Sequence, residues 1–393
     1  MKRLFIIGAS VLQIPAIKKA KELDLFVGVV DMNPRALGIE FADKFYEVST
    51  IDIEGVIEAA KDFKPDGVLT IATDMPIRSV AAVAGIFGLQ GISTEVAIKA
   101  TDKLAMIRCF ENNNVPSPWY YAVSSEEDFN KLIKIISPPF IIKPSDSSGS
   151  RGVILINSPD KAMDGFRYSK SVSRSGVVLV EEYMKGPEVS VEIITVGGQS
   201  AVLAVTDKLT TGAPFFVEMG HSQPSSLSPE TIKEIEEVSM KAVKALGIDN
   251  SPSHVEIIVT ASGPKLVELG ARLGGDCITT HLVPLSTGID MVKASIKLAL
   301  GEIPEIDSGI KKGAAIRYIN SGEGILMDIP GLDKAWKIEG VKHIEIVKQI
   351  GDSVKTIHGS GDRLGYVIAQ SETSSKAVKI CEEALKSLDV KII

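Results

Sequence analysis

The chain has 393 residues, 43 Lys and Arg against 50 Asp and Glu, a formal charge of −7, and three cysteines. The length suits roughly two to four structural units around substantial cores. A modest charge with no basic block disfavours nucleic acid as a partner, and the scattered Cys109, Cys277 and Cys381 disfavour a disulfide framework or a structural zinc site. No run of about eighteen apolar residues offers a membrane span, and Met1–Ser10 lacks the cleavage pattern of a signal peptide. A cytoplasmic protein with no membrane partner is therefore expected.

Strand-like runs at Leu4–Ile7, Phe26–Val30, Lys44–Val48 and Gly67–Thr70 alternate with helical patterns, the first over Pro15–Leu23. That alternation predicts a Rossmann-like parallel sheet covered on both faces. Gly8 and Asp31 sit where a dinucleotide fingerprint would place them, but the turn GASVLQIP lacks the further glycines. An NAD-dependent oxidoreductase is accordingly disfavoured, and Gly8 is read as permitting a tight turn. After a boundary near Gly91, Thr101-Asp102 announces a helix that begins with Lys103.

The run Phe140–Ile142 ends in Lys143, and the small residues from Ser145 to Gly152 follow. Ser148, Gly149, Ser150 and Gly152 offer unobstructed N–H groups and hydroxyls, and Arg151 adds a fixed cation, as a phosphate-covering loop requires. It is not a Walker loop, since no GxxxxGK[ST] occurs. Lys103 and Lys143 together would supply two cations to one polyphosphate.

Val177–Val180 reads as a strand ending in Glu181-Glu182-Tyr183, and Glu188 opens another with Val189, Val191 and Ile193 alternating. Val202–Pro224 reads as a loop that carries Lys208, Glu218 and His221 toward a second substrate, and Pro229–Leu246 as a helix stopped by Gly247. Glu256 and Glu268 lie inside apolar strands joined at Gly263-Pro264, so both face one site across an antiparallel hairpin. Carboxylates in such strands need partners, and two of them suit magnesium carrying phosphates. Arg272, four residues on, adds a permanent cation.

TDK at Lys103, IIKP with SSGSRG, EEYMKGPE, HVEIIV and ELGARLGG together resemble the ATP-grasp superfamily, the carboxylate–amine ligases, over nearly the whole chain. The resemblance implies a mixed α/β and α+β multidomain fold. A Rossmann-like domain would span 1–95, an ATP-grasp domain 96–302 with a small lid at about 115–182, and a C-terminal subdomain 303–393. It implies ATP held by Lys103, Lys143, the Ser148–Gly152 flap, the Glu181–Met184 segment (with Glu182 and Tyr183) and Glu188. Glu256 and Glu268 would hold Mg2+, with Mn2+ as a substitute.

Arg272, with Lys208 and His221, would serve the reacting groups, and Arg363 in GDRLG would close the far side. The implied reaction phosphorylates a carboxylate and couples the acyl phosphate to an amine. Amino-acid ligases and the carbamoyl-phosphate-synthase-like branch are nearest. Phosphoribosylglycinamide synthetase and biotin carboxylase share the scaffold, and a homodimer is one assembly the family uses. One departure stands out: Gly270 occupies the place where the family usually has asparagine, which leaves a silent nucleotide-binding protein as an alternative.

Overall fold

The computed structural model describes residues 1–147, 149 and 151–393. Its first unit is a parallel sheet of β1 (Arg3–Ile7), β2 (Phe26–Asp31), β3 (Lys44–Glu47) and β4 (Gly67–Leu69) in the order β3-β2-β1-β4. Helices α1 (Ile14–Glu22), α2 (Ile53–Phe63) and α3 (Ile77–Phe87) accompany it. Two apolar clusters, one around Leu4, Ile6 and Val29 and one around Phe5, Ile7 and Phe63, share the sheet's strands, hence their continuous apolar sequence. Gly8 has φ +109°, a value open to glycine, and Asp31 braces the turn by accepting N–H bonds from Ala9 and Asn33.

Next come α4 (Thr94–Thr101) and α5 (Lys103–Asn112). The Asp102 carboxylate accepts the Ala105 N–H at 2.8 Å, which fixes the start of α5 and makes Lys103 its first residue. The following unit contains β5 (Tyr120–Val123), α6 (Glu126–Leu132), β6 (Phe140–Pro144), β7 (Ile154–Ile156), α7 (Ala162–Val172) and β8 (Val178–Glu182). Its four-stranded antiparallel sheet, ordered β5-β8-β6-β7, packs on a stacked Phe129–Phe166 pair 4.5 Å apart. Of the expected flap, Ser148 and Ser150 lie outside the described residues.

The largest sheet begins with β9 (Glu188–Val196), β10 (Gln199–Thr210) and β11 (Glu218–Gln223), followed by α8 (Pro229–Leu246), β12 (Ser251–Thr260) and β13 (Gly263–Gly270). After α9 (Val283–Thr287) and α10 (Met291–Ala299) come β14 (Gly313–Ile319), β15 (Gly324–Asp328), α11 (Leu332–Trp336) and β16 (Val341–Ile346). The chain ends with β17 (Ser353–Val354), β18 (Gly365–Ser371), α12 (Ser374–Lys386) and β19 (Lys391–Ile392). Eight strands join in the order β13-β12-β9-β10-β11-β14-β18-β16, and β17-β15-β19 form a small sheet beside them.

The segment Val202–Pro224, read above as a loop, is mostly the β10–β11 hairpin, with Lys208 and His221 cross-strand partners. Its pattern hid this because β10 carries polar residues on a face covered by other protein. The fold thus combines helices and several sheets in the mixed α/β arrangement expected.

Alternation across β9 decides what the large sheet does. Val189, Val191 and Ile193 turn to a core shared with Val255, Ile257, Leu266 and the α8 residues Ile235, Val243 and Leu246. Burying such a side chain contributes about 2 kcal/mol. The intervening Glu188, Ser190 and Glu192 therefore emerge on the opposite face, beside His254 and Glu256 of β12. Helix α8 is held in register by the Ser228 hydroxyl, which accepts the Thr231 N–H, and ends at Gly247 with φ +80°.

Among the described residues no helix is long and apolar enough to cross a membrane. All three cysteines are free; Cys381 is buried and the other two are partly so.

Candidate active site

The polar face of the large sheet carries the site. Glu256 and Glu268 are directly opposed across β12 and β13, just before a bulge at Glu256/Ile257. Lys208 Nζ, almost wholly buried, lies 2.5 Å from Glu188, 3.3 Å from Glu256 and 3.6 Å from Glu218. Burial would lower its pKa, but three carboxylates more than offset that and hold it well above the ordinary value. Glu256, despite its own burial, is held well below the usual carboxylate range by Lys208 and His254.

On the other side, Lys103 Nζ is 3.0 Å from Glu268 Oε2 and donates to the Ser147 carbonyl at 2.8 Å. Its pKa also rises against the desolvation, because Glu268, Asp74 and Glu256 surround it. The Lys103 N–H donates to the Ser145 carbonyl, tying α5 to the start of the Ser/Gly segment. Lys143 forms a deeply buried pair with Glu181 at 2.7 Å. Glu182 pairs with Lys265 at 2.8 Å, Met184 is buried, and Tyr183 is half-buried with Lys185 over its ring. Gly149 and Gly152 adopt φ of +64° and +81°, in the left-handed region that favours glycine.

Arg272 does not point freely toward this cluster. Its Nε and Nη2 donate to the two oxygens of Asp74, at 2.7 and 2.8 Å, in a bidentate pair. Asp74 comes from the loop after β4, whose Ala72 N–H also donates to the Leu273 carbonyl. A Cβ at Gly270 would lie 2.8 Å from Asp74 Oδ1 and 3.2 Å from the Arg272 guanidinium. The space opened by glycine at this position is therefore occupied by the Asp74–Arg272 pair. Sequence reasoning missed Asp74, because nothing local marks a residue 198 positions from its partner.

Two residues beyond Gly274, the backbone turns through positive φ at Asp276 and Cys277 into a single π-helical turn, Ile278–Leu282. Asp276 accepts bonds from Arg363 Nη1 and Nη2 at 2.8 and 2.9 Å and lies 3.5 Å from His221 Nε2. Both partners hold its carboxyl far below the usual range in spite of burial. The Arg363 guanidinium covers the Tyr318 ring at 3.7 Å. His221 is buried, and its Nδ1 has no hydrogen-bond partner, nor has Arg317 Nε nearby.

His254 sits behind Glu256. Desolvation opposes its charge, but Glu192 at 2.6 Å and Glu256 raise its pKa to about 9. Gly274 lets the chain pass this pair: a Cβ there would come within 2.6 Å of His254 Nδ1.

The donor set suits magnesium in the way a nucleotide site would use it. Two opposed carboxylates offer hard oxygen ligands, and among the described residues no group of three or more acidic, His or Cys side chains forms a metal cage. A metal here would take its remaining ligands from phosphate oxygens and water.

Comparison with known proteins gives the family of the fold. Residues 136–280 match the family model described as an ATP-grasp domain, and 317–392 match that of L-amino acid ligase C-terminal domain 2. Alanine–anticapsin ligase of Bacillus subtilis is 28% identical over 66% of this chain, which covers 59% of that protein. The chain thus spans about three fifths of that relative's length. Phosphoribosylglycinamide synthetase from Anaerococcus prevotii superposes with a TM-score of 0.82 at 25% identity, covering 100% of both chains. L-amino acid ligase from Bacillus licheniformis gives 0.87 at 21% identity over 100% of this chain and 99% of that one, a likeness of fold.

Proposed function

Because the chain belongs to the ATP-grasp superfamily of ATP-dependent ligases, we propose that it phosphorylates a substrate carboxylate and joins the acyl phosphate to an amine. The observation that carries this reading is the Glu256–Glu268 pair opposed on β12 and β13, ringed by Lys103 of α5, Lys208 of β10 and Arg272 just past β13. Phosphoryl transfer of this kind needs charge neutralisation and positioning more than a strong base.

In this reading Lys103 and Lys143 hold the triphosphate, with the Ser148–Gly152 segment over it and Glu181–Met184 and Glu188 at the nucleoside end. Glu256 and Glu268 hold magnesium, which neutralises phosphate charge when bound. Arg272, oriented by Asp74, faces the oxygens on which charge develops. Lys208 keeps Glu188, Glu218 and Glu256 in one orientation, and His221 with Asp276 and Arg363 borders the end that takes the substrate carboxylate to be phosphorylated.

An amino-acid substrate is favoured by the match of 317–392 to an amino-acid ligase domain. The full-length likeness to phosphoribosylglycinamide synthetase supports a purine-pathway ligase as the second reading. Release of ADP from magnesium and ATP across pooled amino acids and small carboxylates, with and without a phosphorylated sugar amine, tests both. Release with one pool, and none from Glu268→Gln, supports the ligase and names its acceptor class. ATP binding without release from any pool favours an acceptor outside the pools or a silent nucleotide binder.

A further inference from the structure

A cavity of about 340 Å³ opens between the first unit, the start of α5 and the edge of the small four-stranded sheet. It lies beyond the carboxyl ends of β3 and β4, where open α/β sheets bind ligands. Ile51, Ile53, Met75 and Met106 give it an apolar wall, and Lys103 and Glu268 stand at its inner end. The cavity therefore meets the phosphate-facing cluster without including the buried Lys143–Glu181 pair.

Its charges are unevenly satisfied. Lys103 is paired with Glu268, and Asp74 with Arg272. Asp146 is consumed by its own hairpin, accepting from the Arg174 and Ser175 N–H groups and the Ser173 hydroxyl. Two guanidinium groups remain. Arg78, half-buried at the start of α3, donates Nε to the Thr101 hydroxyl at 2.7 Å. Arg174, exposed at the mouth, donates Nη2 to the Asp146 carbonyl and touches Met75 Sδ. Neither is within ion-pair distance of a carboxylate among the described residues. A half-buried guanidinium answered only by neutral oxygens leaves charge for an anion to claim.

We propose that this cavity seats the amine substrate, an α-amino acid with an apolar side chain, whose free carboxylate is held by Arg78 and Arg174. The proposal rests on the ligase reading above. In that reaction the amine nitrogen forms a bond to the acyl carbon while the carbon–oxygen bond to phosphate breaks. Inorganic phosphate departs with the electron pair and takes up the amine proton. The amine substrate keeps its own carboxylate throughout, and that group needs a cation away from the reacting end. Since Arg78 and Arg174 belong to different units, the bound carboxylate also pins the small sheet against the first unit.

The test is calorimetry on protein loaded with magnesium and a non-hydrolysable ATP analogue, using apolar L-amino acids and their carboxamides as probes. At least one amino acid should bind, with its carboxamide about tenfold weaker, the worth of one charge-assisted contact. Arg78→Gln and Arg174→Gln should each erase that gap and leave nucleotide affinity unchanged; the exposed Arg174 carries no risk to folding. Equal binding of acid and amide, a gap that survives in both variants, or no amino-acid binding at all overturns the proposal. ADP release separates it from the reading beneath it. Binding without release in any pool counts against the ligase and leaves the subsite, whereas release undiminished in both variants removes the subsite and leaves the ligase.

Discussion

Two bidentate Asp–Arg pairs flank the glycine-rich segment that follows β13, and they differ in what surrounds them. Asp74–Arg272 joins the end of β13 to the first unit, with Glu268, Glu256 and Lys103 close by. Asp276–Arg363 joins the next turn to the C-terminal strands, with His221, Tyr318 and Glu218 as company. The Asp74 side chain is 15% exposed and that of Asp276 27%. The first pair is a fixed part of a crowded charge network. The second is a more open latch whose groups a substrate can borrow.

The sharpest break in that contrast is functional. Glu268→Gln removes one of the opposed carboxylates and should lower ADP release at least about a hundredfold while the protein stays folded. Unimpaired release would separate the pair from catalysis altogether. Asp74→Asn leaves Arg272 buried with half its partner gone and should cost about 3 kcal/mol in urea unfolding. Arg363→Gln, which leaves behind the more exposed carboxylate of Asp276, should cost about half as much. Equal losses would mean that solvent access does not distinguish the two.

Protonation sharpens the comparison further. The folded pKa of His254, about 9, lies above its unfolded value of 6.5, so its contribution is complete below about 6.5 and fades as pH rises through 9. Unfolding at about pH 6 and about pH 10 should differ by about 3 kcal/mol from this group, and Glu192→Gln should flatten the difference. Gly270→Ala should cost about 1–3 kcal/mol through its clash with Asp74, and markedly less in an Asp74→Gly background. Lys265→Gln, which breaks the more exposed pair with Glu182, should cost less than about 1 kcal/mol.

Much of this was readable from local pattern. The Glu256 and Glu268 strands, the hairpin at Gly263-Pro264 and helix Pro229–Leu246 each declare themselves within a dozen residues, through alternation, turn chemistry or capping. Lys208 and His221 were legible as polar residues of interest, but their strands were not, because wide sheets bury both faces and blur the alternation. Lys143 and Glu181 each drew notice as a ligand contact, yet their mutual pairing depends on the β6–β8 register. Asp74 was invisible for the same reason: its role is defined by a glycine and an arginine brought to it only by tertiary folding.

Gly270 also has a consequence for how the molecule comes into being. The first unit emerges early in synthesis, but one face of its sheet is completed by Leu273, Met291 and Ile296, and Asp74 meets its counter-ion only when a residue 198 positions later arrives. A chain cut before Arg272 would leave the Asp74 carboxylate bare and one face of the first sheet uncovered. A chain lacking the first unit would strand the arginine. Completion of the site thus reports that the two ends of the stretch from Asp74 to Arg272 have docked, so an unfinished product carries no half-working centre.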